Sequence, residues 1–400
     1  MTNVHAALEI GTSRTVLAIG EGESGGRLKM VCRAEIPSSG VRKSQILSIQ
    51  DATQSIRSVI HKIEESQAKS GLKVSLHNAV LAVSGQHIVA QPFNTSVTLD
   101  GKVTDDNIDA VVRASQEMAL PKDRELLDVV EQDYAIDNRG SIFSPKSLSG
   151  RTLSLNTLHI HADRNRIDDA RTAAEATHFE ILEPVFAATC AADAVLEDSE
   201  KSRGTLVIDL GGGSTGYAAY ADGYVIATGV LGVGGDHVTN DIAHAFQTTN
   251  AQAEGMKRTA ASARVSGDDD ASARVQVEQG GSTLMDSRTV SRRALNTVVN
   301  ARLMELFTMI RESLEDQDLL HRLHGGVVLT GGGARMNDLL PLAEQVLGLS
   351  ARIGRPVNID GLDDAEFPAE YATIAGALLY AHRNYEEHSM IGDLLGRFFK

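Results

Sequence analysis

Three short stretches place carboxylates, bare backbone and hydroxyls close enough together to handle a phosphate. "LVIDLGGGST", from Leu206, ends an apolar run in Asp209 and continues with Gly211, Gly212, Gly213, Ser214 and Thr215. "ALEIGTSR", from Ala7, repeats that order with Glu9, Gly11, Thr12, Ser13 and Arg14. "LTGGGA", from Leu329, sets Gly331, Gly332, Gly333 and Ala334 behind another apolar run. Glycines let backbone N–H groups approach an anion, hydroxyls add donors, and an acid at a strand end can hold a metal through water. Two other readings compete for the stretch at Asp209. Gly212, Ser214 and Gly216 fit G-x-S-x-G, the nucleophile elbow of hydrolases, which needs a helix after the turn. The succeeding residues, "YAAYADGYVIATG", read instead as a hairpin about Asp222-Gly223. The third reading is a glycine hairpin without a ligand. The second copy at Glu9 weakens it, because a duplicated strand–acid–glycine–hydroxyl–strand unit points to two loops facing one ligand.

The surrounding pattern supplies elements to hold these loops. After "GGGA", Leu339, Leu342, Ala343, Val346 and Leu347 recur with helical spacing, so a helix N-terminus is expected at the third glycine turn. "GVLGVGGDHVTNDIAHAF" leads through Gly234, Gly235 and Asp236 into another helix. In "AQAEGMKRTAASA", Glu254 and Lys257 share a helix face, either as a surface pair or as groups holding a ribose and a base. Asp51 is expected to cap a helix whose apolar face is Ile56, Val59, Ile60 and Ile63. From Ser84 to about Ala162 the texture changes to a small α+β insertion, with a helix capped at Thr104 and alternating strands. His159 and His161 lie two apart on one of those strands and read as surface histidines, since no carboxylate or Cys completes a metal set. "SGDDDASA" reads as a solvated loop.

Composition narrows the function classes. Four hundred residues with 42% apolar and 23% charged content suit a globular chain of two or more domains. Trp is absent, aromatics are 4% and the net charge is −15, so no nucleic-acid partner is expected. The N-terminus enters a strand at once, without a secretory leader, and no apolar run approaches the roughly 20 residues that span a bilayer. Cys32 and Cys190 form no C-x-x-C pattern, which fits a reducing cytoplasm. At about 100° per residue, the final "SMIGDLLGRFFK" gathers Met390, Ile391, Leu394, Leu395, Phe398 and Phe399 on one half of a helix. Asp393, Arg397 and Lys400 fall opposite, the pattern of an amphipathic helix lying on an anionic membrane surface.

Taken in order, "EIGTS", "DLGGGST", "GGDHVTNDI", "AEGMK", "LTGGGA" and "EYATIAGALLYA" resemble the actin-like ATPase superfamily, and within it the FtsA/MreB family of bacterial division proteins. Glu9 where other members carry Asp, "YAIDNRGSIFSPKSLSG" and "ARIGRPVNIDGL" sharpen the resemblance, which covers essentially the whole chain. It implies an α/β, actin-like fold: two RNase-H-like lobes with a cleft between them, plus an inserted small α+β subdomain. The implied divisions are subdomain IA at 1–83, 163–203 and 363–384, IC at 84–162, IIA at 204–235 and 303–362, and IIB at 236–302. Residues 385–400 would be a short linker and the membrane helix. ATP and Mg2+ would lie in the cleft, with Glu9 and Asp209 at the metal and the reacting phosphate. The resemblance further implies self-polymerisation and binding of the FtsZ C-terminal peptide around "SRRALNTVVNARLMELF", where Arg292, Arg293 and Arg302 are the cationic candidates. Later division proteins would be recruited through subdomain IC, at the cytoplasmic face of the inner membrane and the division septum. One departure bears on turnover: the acid that often closes the family's second loop is here Gly216, so hydrolysis is expected to be slow. Alternatives within the superfamily are a PilM-like pilus assembly protein and a sugar or acetate kinase.

Overall fold

A computed structural model describes residues 2–23, 27–70, 77–137, 139–265, 272–277 and 288–398, with side chains to Tyr385 in the last segment. The first lobe opens with β1 (Thr2–Ile10), β2 (Arg14–Glu23), β3 (Leu28–Pro37), a hairpin of β4 (Val41–Arg42) and β5 (Gln45–Ile46), α1 (Ile49–Ser70) and β6 (Asn78–Val83). The chain leaves through β7 (Val89–Lys102), α2 (Asp105–Gln116), β8 (Arg124–Ile136), β9 (Arg139–Ile142) and β10 (Ser149–Asp163). It returns by α3 (Arg164–Glu175), β11 (Glu180–Phe186) and α4 (Ala187–Val195). The second lobe comprises α5 (Asp198–Arg203), β12 (Thr205–Leu210), β13 (Thr215–Ala221), β14 (Tyr224–Leu231), α6 (Gly235–Phe246), α7 (Asn250–Ala260), β15 (Arg274–Gln276), β16 (Thr289–Ser291), α8 (Arg292–Glu315), β17 (Gly326–Thr330), α9 (Leu339–Leu347) and β18 (Ala351–Ile353). β19 (Ile359–Asp360) and α10 (Ala372–Phe398) bring the chain back to the first.

The two main sheets repeat one plan. In the first, β1 pairs antiparallel with β2 and parallel with β6, giving the order β11-β6-β1-β2-β3-β19. In the second, β12 pairs antiparallel with β13 and parallel with β17, giving β14-β13-β12-β17-β18. Each glycine loop therefore joins the central strand of its sheet to an antiparallel neighbour. The inserted strands form a separate sheet, β7-β10-β8-β9, covered by α2. Thr104 caps α2 with a reciprocal bond to Asn107, as its sequence suggested. At the other expected cap the structure differs. Asp51 lies inside the first turn of α1, and Ser48 supplies the cap, accepting the Asp51 N–H at 3.3 Å.

α4 and α10 lie between the two sheets and pack against each other. Their small residues (Ala191, Ala192, Ala194, Ala375, Ala377) join Ala7 and Val16 of one sheet and Val207 and Ala218 of the other in a single apolar cluster. A Cβ built at Gly376 would overlap the Cys190 carbonyl, so the two helix backbones touch. Asp193 on α4 accepts from Lys201 at 2.7 Å and Arg383 at 2.5 Å. Burial pushes that carboxyl up, but the two cations outweigh it and hold it below the usual range.

The short linker expected from residue 385 is helical. α10 runs unbroken to Phe398, because the segment contains no Gly or Pro to end it. The side chains of Met390, Ile391, Leu394, Leu395, Arg397 and Phe398, and residues Phe399 and Lys400 altogether, lie outside the described residues, as does most of "SGDDDASA".

The close approach at Gly376 gives a stability test. Gly376→Ala drives a methyl into the Cys190 carbonyl and should cost about 1–3 kcal/mol or more in urea unfolding. Gly255→Ala, on α7 with nothing within 4 Å of the added methyl, should instead stabilise by about 0.5–1 kcal/mol. Equal effects of the two would contradict the packing.

Candidate functional site

The two acid-bearing loops are built alike. Gly11 N–H donates to the Arg14 carbonyl at 3.0 Å, and Gly211 N–H donates to the Ser214 carbonyl at 3.0 Å, so each loop closes with the same bond. Glu9 sits opposite Val16 and Asp209 opposite Gly216, each one residue short of the strand end. The second loop meets the first through bare backbone, against the side chains of Thr12 and Ser13. A Cβ at Gly212 would overlap Ser13 Oγ, and one at Gly213 would overlap Thr12 Oγ1. After the second loop the chain turns at Asp222 (φ 56°) and Gly223 (φ 93°) into β14, not into a helix, which excludes the hydrolase elbow.

Glu9 and Asp209 stand at the floor of a cleft of about 1220 Å³ between the lobes. Burial pushes Glu9 up to about 7, against the pull of Arg14 and with help from Asp209 and Glu35. Burial also raises Asp209, opposed by the Thr373 hydroxyl, which donates to its Oδ2 at 2.9 Å, and by Arg14. Arg14 is held by Glu35 at 2.6 Å and Glu370 at 3.5 Å, with its guanidinium 4.9 Å from the Tyr371 ring centre.

The far wall comes from the second lobe. Gly235 and Asp236 N–H groups donate to the Gly211 and Gly212 carbonyls at 3.0 and 2.8 Å, fastening the start of α6 to the glycine loop. Lys257 Nζ reaches Glu254 at 2.6 Å, Thr239 Oγ1 at 2.8 Å and the Gly235 carbonyl at 3.1 Å. Against the cost of burial, Lys257 and Thr239 hold the Glu254 carboxyl below its usual range. Gly331 (φ 80°) lets its turn lie against Asp209, where a Cβ would overlap Oδ1. Leu303, Leu306, Met336 and Phe367 give the cleft an apolar side.

The residue types fit a nucleotide and a cation. The hydroxyls of Thr12, Ser13 and Ser214 and the backbone of Gly212 and Gly213 line the cleft together, the donor types a phosphate takes. Among the described residues no group of three or more His, Cys, Asp or Glu could hold a metal. Two carboxylates with phosphate and water oxygens are instead the donor set of magnesium.

A family model described as "Cell division protein FtsA" matches residues 206–376, and one described as "SHS2 domain inserted in FTSA" matches residues 85–161. Cell division protein FtsA of Pseudomonas aeruginosa is 32% identical over 376 residues, covering 93% of this chain and 88% of that protein. The chain belongs to the FtsA family of cell division proteins. FtsA of Escherichia coli K12 is 29% identical over 388 residues, covering 94% of this chain and 90% of that protein. Among solved structures, the PilM–PilN type IV pilus biogenesis complex aligns with TM-score 0.67 and 18% identity, over 94% of this chain and 98% of that one. MreB5 of Spiroplasma citri bound to ADP aligns with TM-score 0.56 and 14% identity, over 97% and 98%. These likenesses show an actin-like fold, and sequence places the chain with FtsA.

Within this FtsA-family cleft the structure gathers Glu9, Gly11, Thr12, Ser13, Arg14, Asp209, Gly211, Gly212, Gly213 and Ser214 from the two loops. Gly234, Gly235, Asp236, Glu254, Lys257, Gly331, Gly332 and Gly333 complete it. Two expected residues face away. The Thr215 hydroxyl donates to the Val233 carbonyl at 2.7 Å, and Ala334 is buried against the second-lobe core. The helix expected at the third turn begins later: Gly332–Arg335 is a 3₁₀ turn, and α9 starts at Leu339. Arg302, expected on a peptide-binding surface, lines the cleft and is forked onto Asp241 at 2.6 and 3.0 Å. His159 and His161 are buried rather than at the surface, beneath Phe93 (ring centres 4.5 Å apart) and Arg124, which donates to His161 Nδ1 at 2.8 Å. Sequence reasoning also passed over Thr373, although it lies inside the quoted "EYATIAGALLYA", and Glu35, Glu370 and Arg335, whose roles arise only when distant segments meet.

Two measurements probe this geometry. Gly212→Asp sets a carboxylate between the loops and should weaken ATP binding at least ~100-fold, about 3 kcal/mol; retained affinity would refute the site. For Glu9, a folded-state value of about 7 against 4.5 means the folded chain holds the proton longer, so stability falls as pH rises between those values. Without divalent metal, Glu9→Gln should therefore melt higher than wild type at pH 8 and nearly with it at pH 5. A difference independent of pH would contradict the assigned shift.

Proposed function

We propose that the cleft binds ATP with Mg2+, and that the chain polymerises and tethers the FtsZ ring to the cytoplasmic membrane at the septum. The observation that carries the nucleotide reading is the meeting of two loops closed by the same hydrogen bond, one from each lobe, with their acids in the cleft. Glu9 and Asp209 would hold the magnesium, whose charge offsets that of the phosphates. Backbone N–H groups and hydroxyls of both loops would cradle the phosphates, while Glu254 and Lys257, ordered by Thr239, would hold the ribose and base. Slow hydrolysis is supported by the backbone around Gly216. A Cβ there would stand 2.9 Å from Ala188 Cβ, so α4 leaves little room for a carboxylate at this position.

The partner reading is refined by what Arg302 does. With that residue committed to Asp241 and Glu305, the acidic FtsZ C-terminal peptide is left to Arg292 and Arg293, both exposed in the first turn of α8. The insert presents Val89 and Leu126 outward on the face that covers His159 and His161, which supports its use as a surface for later division proteins. Among the described residues no helix is long and apolar enough to cross a membrane. Attachment through residues 390–400 would then be peripheral, marginal for one molecule and firm for a polymer.

One recruitment assay tests the tether. A labelled FtsZ C-terminal peptide should sediment with anionic vesicles only when this chain is present, and more so with ATP. Deleting Met390–Lys400 should leave the chain folded and the peptide in the supernatant. Arg292→Glu with Arg293→Glu should keep the chain on vesicles but release the peptide. Peptide that still sediments with the truncated chain would refute the membrane role of that segment.

A further inference from the structure

The hairpin of β4 and β5 closes on Lys43 (φ 50°) and Ser44 (φ 56°), with Arg42 paired to Gln45. A two-residue loop with both φ values positive is a type I′ turn, normally built from Asn and Gly. Lys and Ser carry a Cβ that crowds the backbone in this region, so the turn holds strain that its surroundings must impose.

Those surroundings are the two glycine loops. Ser44 N–H donates to Thr12 Oγ1 at 2.8 Å, on the first loop. Ser44 Oγ lies 2.8 Å from Ser214 Oγ, on the second, and Ser214 Oγ lies 3.2 Å from Ser84 Oγ. A Cβ at Gly213 would stand 2.8 Å from Lys43 Cα. The tip of a first-lobe hairpin is thus wedged between the loops and bonded to both lobes. Its chemistry sets it apart from the other side of the cleft. Leu303, Leu306, Met336 and Phe367 form an apolar wall suited to a base, whereas the tip brings together the hydroxyls of Thr12, Ser44, Ser84 and Ser214. Hydroxyls that now bond one another are donors that a phosphate oxygen can claim.

We propose that the Lys43–Ser44 tip reads the terminal phosphate of a nucleoside triphosphate, an inference that rests on the nucleotide reading of the cleft. Ser44 Oγ exchanges its bond with Ser214 for an oxygen of that phosphate. A diphosphate leaves the Ser44–Ser214 bond in place. The strained turn is the two-state element: it is held over by contacts to the loops, and it relaxes when those contacts are exchanged.

The test compares binding of ATP and of ADP, each with Mg2+, to the full chain by calorimetry. Ser44→Ala removes the hydroxyl. Ser44→Gly also removes it while accepting positive φ without strain, and should melt no lower than wild type. Both variants should lose about tenfold or more in ATP affinity relative to ADP affinity, the scale of one hydrogen bond to a charged group. A ratio unchanged in both, or changed only in Ser44→Ala, overturns the sensor while the nucleotide cleft stands, because the effect is then absent or belongs to the turn's shape. Wild-type chain that binds neither nucleotide overturns the cleft reading, and the sensor with it.

Discussion

Backbone contact between α4 and α10 is the constraint on which the rest of the structure depends. Gly376 has no Cβ, α4 is largely alanine, and α10 carries Ala372, Ala375 and Ala377 around the contact, so each helix can approach the other and also one of the two sheets. Small residues trade buried area per side chain for distance, and distance is what the arrangement requires. Residues of both sheets enter one apolar cluster through these two helices, so the lobes are not free bodies joined by a strap. The spacing fixed there is inherited by every group above it, down to the overlap a side chain at Gly212 would make with Ser13.

On that platform, duplication gives symmetry and individual residues break it. The loops close with equivalent hydrogen bonds, and their acids occupy equivalent strand positions. Glu9, however, lies beside Arg14 and Glu35 and titrates near 7, whereas Asp209 takes a hydroxyl from Thr373 at the entry to α10. With Glu9 holding its proton near neutral pH, its repulsion with Asp209 is lessened. The cleft mouth is tied in the same manner, by Arg33 to Asp364 and by Arg335 to Glu366 and Glu370, pairs that join segments remote in sequence.

What was legible in the sequence reflects locality. The two acid-bearing loops, the Asp222-Gly223 hairpin and the Thr104 cap are determined by residues within a few positions and stand where the pattern set them, whereas the third glycine turn does not open its helix directly. Ser48 was missed as a cap because Asp51 carries the stronger local signal, and only the chain's path past Gly40 settles which of the two caps α1. The surroundings of Arg302 were hidden for a different reason. Helical periodicity shows which face a residue shares, but not that Asp241, sixty-one positions earlier, will be waiting on it. The buried histidines likewise look polar in a row of letters, and only the overlying Phe93 makes their strand face an interior.

The unbroken course of α10 has a mechanical consequence. Its first turns carry Thr373, bonded to Asp209, and Gly376, set against α4; Arg383 then ties it to Asp193. From there the same rod continues to Phe398, in all 27 residues and about 40 Å of helix. A flexible tail would absorb a sideways pull as a change of shape, but a stiff rod delivers it as torque about its fixed end. That end is the joint between the lobes. A sideways force on the far end of the rod therefore becomes a torque on the contacts of Thr373 and Gly376 beside the cleft.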